Sequence, residues 1–417
     1  MANTYPEPLK SLIDKCFRCG LCRAVCPVFS QVGREPAVAR GKLQVVKAML
    51  AEGGEPPEAA MYFLSRCMTC GLCQQICPAD VQVRDAIIRA RAELIRSLDA
   101  VPKEQSDRFP ALDRWRRYLA VIRSAPHDPL PAILVLLSEV RGRETPPMPD
   151  VLASDEPPRV GELSDAAMRV GYFPGCEVTI IPGITGTVVR ILEKGRVQVH
   201  LPGGTRCCGA LFLEAGDLDA ARQLGRENIA AFKGQNIEAI VVAEAGCART
   251  LRRDYREILG LDEFSVPVYH ISEFLADVLS GPMDFAPLPR RAFYLPSRAP
   301  GEAGDWSPQL LGRIPELELV DGAELDVCCG DSLFFSVLHP ELFDRILEAK
   351  LAEVEDSGCN MIITDSSLCR MQIEWALNGR ALNLEARHIA EVLAMSLGIG
   401  PNSSRALPRT ARARKKC

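Results

Sequence analysis

Eight cysteines near the start of the chain fall into two runs of identical spacing. Cys16, Cys19 and Cys22 are followed by Cys26-Pro27. Cys67, Cys70 and Cys73 are followed by Cys77-Pro78, each residue 51 positions after its mate. A cubane of four irons takes four thiolates, and Cys-x2-Cys-x2-Cys lets one tight loop deliver three of them. In two-cluster proteins of this pattern the fourth is the Cys-Pro cysteine of the other run. The expected assignment is Cys16, Cys19, Cys22 and Cys77 on one [4Fe–4S] cluster, with Cys67, Cys70, Cys73 and Cys26 on the other. The exchange forces the clusters close together, as electron transfer requires. Gly20 and Gly71 let the backbone approach the inorganic sulfides, and Pro27 and Pro78 end each loop. Structural zinc also favours Cys-x2-Cys, but it needs neither the third cysteine nor the trailing Cys-Pro, twice over.

A second repeat fills the rest of the chain. Cys207-Cys208-Gly209 recurs as Cys328-Cys329-Gly330 after 121 positions, Cys247 as Cys369 after 122, and the His270-Ile271 segment as His388-Ile389 after 118. Three landmarks at nearly one offset predict a duplicated domain. In the first copy Cys176, Cys207, Cys208 and Cys247 supply four thiols at the expected ends of parallel strands, where α/β domains gather ligands. A third iron–sulfur centre is expected there, a pair of buried thiols being the plainer alternative. The second copy has Ser297 where a cysteine is expected, which leaves Cys328, Cys329 and Cys369 and reads as a degenerate scaffold. Cys359 reads as a packing residue. His270 and His388 each open an amphipathic segment, with a capping or core role. Arg40 and Lys42 could offset cluster charge or lie on a solvated helix face.

The elements that position these residues follow from periodicity. Apolar positions at helical spacing over 38–50 and 80–98, the latter capped by Asp80, predict helices around the two runs. Short apolar strands at 168–173, 239–243, 292–295 and 361–364 alternate with helical segments, the pattern of α/β units on parallel sheets. The expected fold is a mainly helical dicluster domain followed by two duplicated α/β cysteine-rich domains. Its divisions are 1–100, a helical extension with a proline-rich linker over 101–165, cysteine-rich domains over 166–285 and 286–400, and a basic disordered tail over 401–417.

At 417 residues the chain is long enough for two or three domains. Seventeen cysteines against five histidines argue for metal or redox chemistry in a reducing compartment, not for disulfides. The net charge of −5 gives no case for nucleic acid. No stretch reaches the ~20 apolar residues of a spanning helix, and the polar start lacks a secretory h-region. A cytoplasmic protein, peripheral on a membrane through a partner, is the expectation.

In the order of these motifs the chain resembles the iron–sulfur subunit of glycolate oxidase and, more widely, the heterodisulfide-reductase-like iron–sulfur oxidoreductases. Arg40-Gly41-Lys42 matches that family's Arg-Gly-Lys/Arg after the first run, and Ser297 departs from its His-x-Pro-Cys. The resemblance implies an electron-transfer subunit, not catalytic alone. It would work beside an FAD-containing subunit that oxidises a 2-hydroxy acid such as glycolate or D-lactate, and pass electrons to a quinone or another carrier. The chain agrees by omission, having no Gly-x-Gly-x-x-Gly unit and no Walker motif. Two rivals use the same motifs: a thiol–disulfide reductase of the heterodisulfide-reductase kind, and a relay for an electron-transferring flavoprotein or a membrane cytochrome. Neither Cys247 nor Cys369 has the further nearby cysteine typical of the reductase.

Overall fold

The computed structural model describes residues 7–52, 58–98, 110–142, 163, 166–175, 177–279, 283–297, 306–320, 332–378, 380 and 383–400. Cys176, Cys328, Cys329, Cys417, most of the proline-rich linker and the basic tail lie outside the described residues.

Helices make up the N-terminal part. Glu7–Asp14, Ala39–Glu52, Glu58–Ser65 and Val83–Leu98 surround the two cysteine runs, and Pro110–Ser124 and Leu130–Arg141 follow. Val83–Leu98 is buried nearly all round from Val83 to Leu94, with only Arg89 and Glu93 partly open. The expectation that Asp80 caps this helix is corrected. Asp80 has a φ of 47° and sits in a left-handed turn ahead of the helix, a conformation that a short polar side chain tolerates. The extension is core, since Trp115, Tyr118, Ile122, Ile133 and Leu137 are fully buried. The Trp115 indole N–H donates to the Ala215 carbonyl at 3.1 Å, which fixes the extension to the first α/β domain.

Among the described residues eight strands form two parallel four-stranded sheets with the same order, β2-β1-β3-β4 and β6-β5-β7-β8. Their bounds are β1 Met168–Phe173, β2 Val197–His200, β3 Ala239–Val242, β4 Val268–His270, β5 Arg290–Tyr294, β6 Leu317–Val320, β7 Met361–Thr364 and β8 Glu385–His388. Val170 pairs with Ala239 in one sheet and Ala292 with Met361 in the other, so the registers match as well as the order. β3 and β7 are buried along their whole length, as central strands of covered parallel sheets must be. The sheets share one core, in which Val170, Tyr172 and Val241 meet Ala292, Met361 and Ile363. No helix among the described residues is long and apolar enough to cross a membrane.

At each sheet's last strand a histidine caps the next helix. His270 Nδ1 accepts from the Ser272 N–H at 3.3 Å, and His388 Nδ1 from the Ala390 N–H at 3.2 Å. Burial, and then the neighbouring His270, depress the His388 imidazole to about 3. An unfolded imidazole takes up its proton near pH 6.5. Between those two values unfolding binds a proton, so the cap is at full strength above pH 6.5 and weakens as the pH falls. Urea midpoints should therefore fall from pH 7 to pH 5. His388→Asn, which keeps a cap acceptor, should flatten that slope by up to about 1.4 kcal/mol per pH unit. An unchanged slope would show that His388 is not its source.

Candidate metal centre

The two cysteine runs fold as conformational copies. Arg18 and Thr69 have φ of 62° and 53°, and Gly20 and Gly71 have 91° and 85°. The Arg23 N–H donates to the Gly20 carbonyl at 3.0 Å, and the Gln74 N–H to that of Gly71 at 2.8 Å, which closes the same turn in each loop. Pro27 then starts the helix Pro27–Val32, with Cys26 just ahead of its first turn.

Two cavities of about 30 Å³ each lie between these loops. Cys26, Cys67, Cys70 and Cys73 line one; Cys16, Cys19, Cys22 and Cys77 line the other, and Cys73 contributes to both walls. Among the described residues no three His, Cys, Asp or Glu side chains are grouped as on a single metal ion. The sulfurs are spread around chambers. Burial raises the Cys73 thiol well above its ordinary range, and Cys67, Cys26 and Cys22 add to the effect. Cys22 is raised too, by burial first, against the Arg40 backbone N–H that favours its thiolate. Sets of thiolates in such places need positive charge at their centre, and cluster iron has that character; the donor set fits.

Fixed cations surround both chambers. Arg40 lines one, Lys42 and Arg84 the other. Lys42 is only 2% exposed and its Nζ donates to the Ala37 carbonyl, so the solvated-face reading fails for it. Arg40 bonds the Glu35 carboxylate and the Arg18 carbonyl, bracing the first loop. Gly41 between them is required by contact: a Cβ there would lie 2.0 Å from the Glu35 carbonyl oxygen. Arg91 is buried and donates to the carbonyls of Leu64 at 2.9 Å, Cys67 at 2.5 Å and Glu214 at 2.6 Å. Arg84 forms a two-pronged pair with Asp254, at 2.7 and 2.9 Å, with both side chains buried.

In the first α/β domain Cys207 and Cys208 lie on the loop after β2, and Cys247 in the helix Ala245–Arg249 after β3; all three are buried. A Cβ on Gly175, which has φ of 61°, would lie 3.0 Å from the Cys247 sulfur. That brings the residue before Cys176 onto Cys247. Tyr255 faces all three described cysteines, and burial and their proximity raise its phenol well above the ordinary range. Its hydroxyl donates to the Cys208 carbonyl at 3.0 Å, while the Asn228 amide donates to the Cys207 carbonyl at 3.1 Å. The Cys207 N–H reaches the His127 carbonyl at 3.0 Å. In the second domain Ser297 is fully buried, and its N–H donates to Asp365 at 3.0 Å. Counted on from the matched strand registers, Ser297 stands level with Gly175, one place before the cysteine position expected of it. Cys369 is fully buried and its sulfur is in a disulfide, which corrects for this residue the expectation of no disulfides. Cys359 packs beside the core around Phe343.

Residues 12–81 match the family described as 4Fe-4S dicluster domain, and 170–252 and 304–374 match the one described as Cysteine-rich domain. The chain thus carries one stretch like the dicluster domain and two like the cysteine-rich domain. It is 25% identical to a probable glycolate oxidase iron–sulfur subunit of Bacillus subtilis, covering 92% of this chain and 94% of that protein. It is 24% identical to the glycolate oxidase iron–sulfur subunit of Escherichia coli, over 93% and 95%. One subunit of the dihydromethanophenazine:CoB–CoM heterodisulfide reductase of Methanosarcina acetivorans is 22% identical, over 93% and 94%. A crystal structure of a hypothetical protein from Helicobacter pylori shares the fold with a TM-score of 0.55 at 11% identity, covering 94% of this chain and 73% of that one. Along nearly its whole length the chain is similar to iron–sulfur subunits of multi-subunit oxidoreductases, and electron transfer is the role that likeness supports.

Alanine is the better helix former by about 1 kcal/mol, yet Gly41→Ala should melt below the wild type, because the Glu35 carbonyl blocks the new methyl group. A higher melting temperature would refute the contact. Arg84→Met strands the Asp254 carboxylate in the interior. It should cost about 3 kcal/mol, the low end of the range for a broken buried pair, because the Arg249 guanidinium stays 3.9 Å away. Arg84→Met with Asp254→Leu should recover most of that loss in urea unfolding. A double variant no better than the single would contradict the pairing.

Proposed function

We propose that this chain is the electron relay of a flavin-dependent 2-hydroxyacid dehydrogenase. It holds one [4Fe–4S] cluster on Cys16, Cys19, Cys22 and Cys77, and a second on Cys67, Cys70, Cys73 and Cys26. The observation that carries the relay is the pair of adjoining cavities with Cys73 in both walls. Bound clusters supply one-electron storage at two neighbouring places. The chain's residues set the conditions for it: the loops bring the thiols together, apolar neighbours such as Val83 exclude water, and Arg40, Lys42 and Arg84 offset anionic charge.

A third cluster is assigned to Cys176, Cys207, Cys208 and Cys247. The convergence of the last three around Tyr255, and of Gly175 on Cys247, supports it. The second cysteine-rich domain serves as scaffold, with Ser297 level with Gly175. The dehydrogenase reading rests on the similarity to glycolate oxidase iron–sulfur subunits along nearly the whole chain. An FAD subunit is the donor and a quinone or another carrier the acceptor. The similarity to a heterodisulfide reductase component keeps disulfide reduction as the rival.

Anaerobic purification of the native complex, with assays for FAD, iron and acid-labile sulfide, tests both. About twelve irons per chain and a flavoprotein partner are expected. A chain that reduces a disulfide with no flavoprotein present would establish the rival. The crossed assignment has its own test in electron paramagnetic resonance. Cys77→Ser should remove the same signal as Cys19→Ser, and Cys26→Ser the same as Cys70→Ser. The opposite pairing would overturn it.

A further inference from the structure

The two cysteine loops share a backbone but not their surroundings. In the second loop Met68 and Thr69 are each 4% exposed and Leu72 is 5% exposed. Met68 packs with Phe335 and Phe343 of the second cysteine-rich domain. The matching residues of the first loop are open. Phe17 is 63% exposed and Leu21 47%, and Arg18 and Cys19 are exposed beside them. Phe17 and Leu21 are two of only four large apolar side chains exposed among the described residues. One copy of the loop is thus covered by this chain, and the other has no cover among the described residues.

The uncovered loop is also positive. Residues 15–34 hold Lys15, Arg18, Arg23 and Arg34 and no acid, in a chain of net charge −5. The acids that flank this stretch are engaged: Asp14 with Lys47 and Glu35 with Arg40. An apolar centre with a basic rim, over a cysteine of the first cavity, has the composition of a transient protein interface. Its complement is an apolar patch with an acidic rim.

We infer that the Cys16–Cys22 loop is the port where the electron-donor protein docks, an acidic-rimmed flavoprotein. This rests on the relay reading above and deepens it. One electron passes from the donor's reduced flavin, which is oxidised by one electron. The cluster on Cys16, Cys19, Cys22 and Cys77 is reduced by that electron. The Cys67-side site is then the inner station. Its loop is covered by the second cysteine-rich domain, and Arg84 and Arg91 bond it to the first.

The probe is flavodoxin hydroquinone, an acidic flavoprotein, mixed by stopped flow with the cluster-loaded chain. Photoreduced deazaflavin is the small-molecule control. The wild-type rate constant with flavodoxin should fall steeply with added salt. Arg18→Glu with Arg23→Glu should lower it about tenfold at low salt and abolish the salt dependence. The deazaflavin rate should stay unchanged. If that variant loads iron poorly, Lys15→Glu with Leu21→Ser replaces it, and there the flavodoxin rate should fall and its salt dependence weaken while the deazaflavin rate stays unchanged. A wild-type rate indifferent to salt would overturn the port. So would a salt dependence that survives charge reversal, which would place docking elsewhere, such as on the basic residues of 401–417. Failure to find a flavoprotein in the native complex would sink the dehydrogenase reading while leaving this result to stand or fall alone.

Discussion

The buried guanidinium of Arg91 is the interaction on which the arrangement of the chain depends. It joins Leu64 of the helix Glu58–Ser65 and Cys67 of the second cysteine loop to Glu214 of the first cysteine-rich domain, and lies 4.5 Å over the Phe334 ring of the second. Burial lowers it to about 10, opposed by Cys67 and Glu214, so it remains charged at neutral pH. A cation in that place would leave large desolvation costs unmet were any of its carbonyl acceptors to move. Three parts of the chain are therefore held in one geometry by a group that tolerates few alternatives.

Other buried charges follow the same logic. Arg84 with Asp254 and Lys42 with the Ala37 carbonyl occupy places where well-packed apolar residues would serve stability as well. Lys42 and Arg84 both line the chamber of Cys26, Cys67, Cys70 and Cys73. Their charge is kept where anionic thiolates gather, and hydrogen bonds and burial around such sites set reduction potentials.

The two cysteine runs were legible in the sequence as paired sets because of their repeated spacing, and the structure gathers each expected set around one cavity. The duplication was legible as well, since Cys207, Cys247 and His270 each have a mate. β1, β3, β5 and β7 stood out as apolar runs, whereas β2, β6 and β8 interleave polar residues and β4 is only three residues long, too little apolar pattern to register. Asp80 mimics a cap because local sequence does not reveal a left-handed turn. Arg91, Asn228 and Tyr255 gave no signal: each reads as an ordinary helix residue until the tertiary fold delivers its partners. For the same reason the sequence left Lys42 open between offsetting cluster charge and lying on a solvated face.

The cover over the second cysteine loop comes from far along the chain. Ser65 bonds His339 at 2.8 Å across 274 positions, and Met68 waits on Phe335 and Phe343. During synthesis the N-terminal loops leave the ribosome long before those residues exist, at a pace of roughly 5–20 residues per second. The second loop gains its cover only after residues 335–343 have been made, and a chain truncated before them would present a cysteine loop that lacks it.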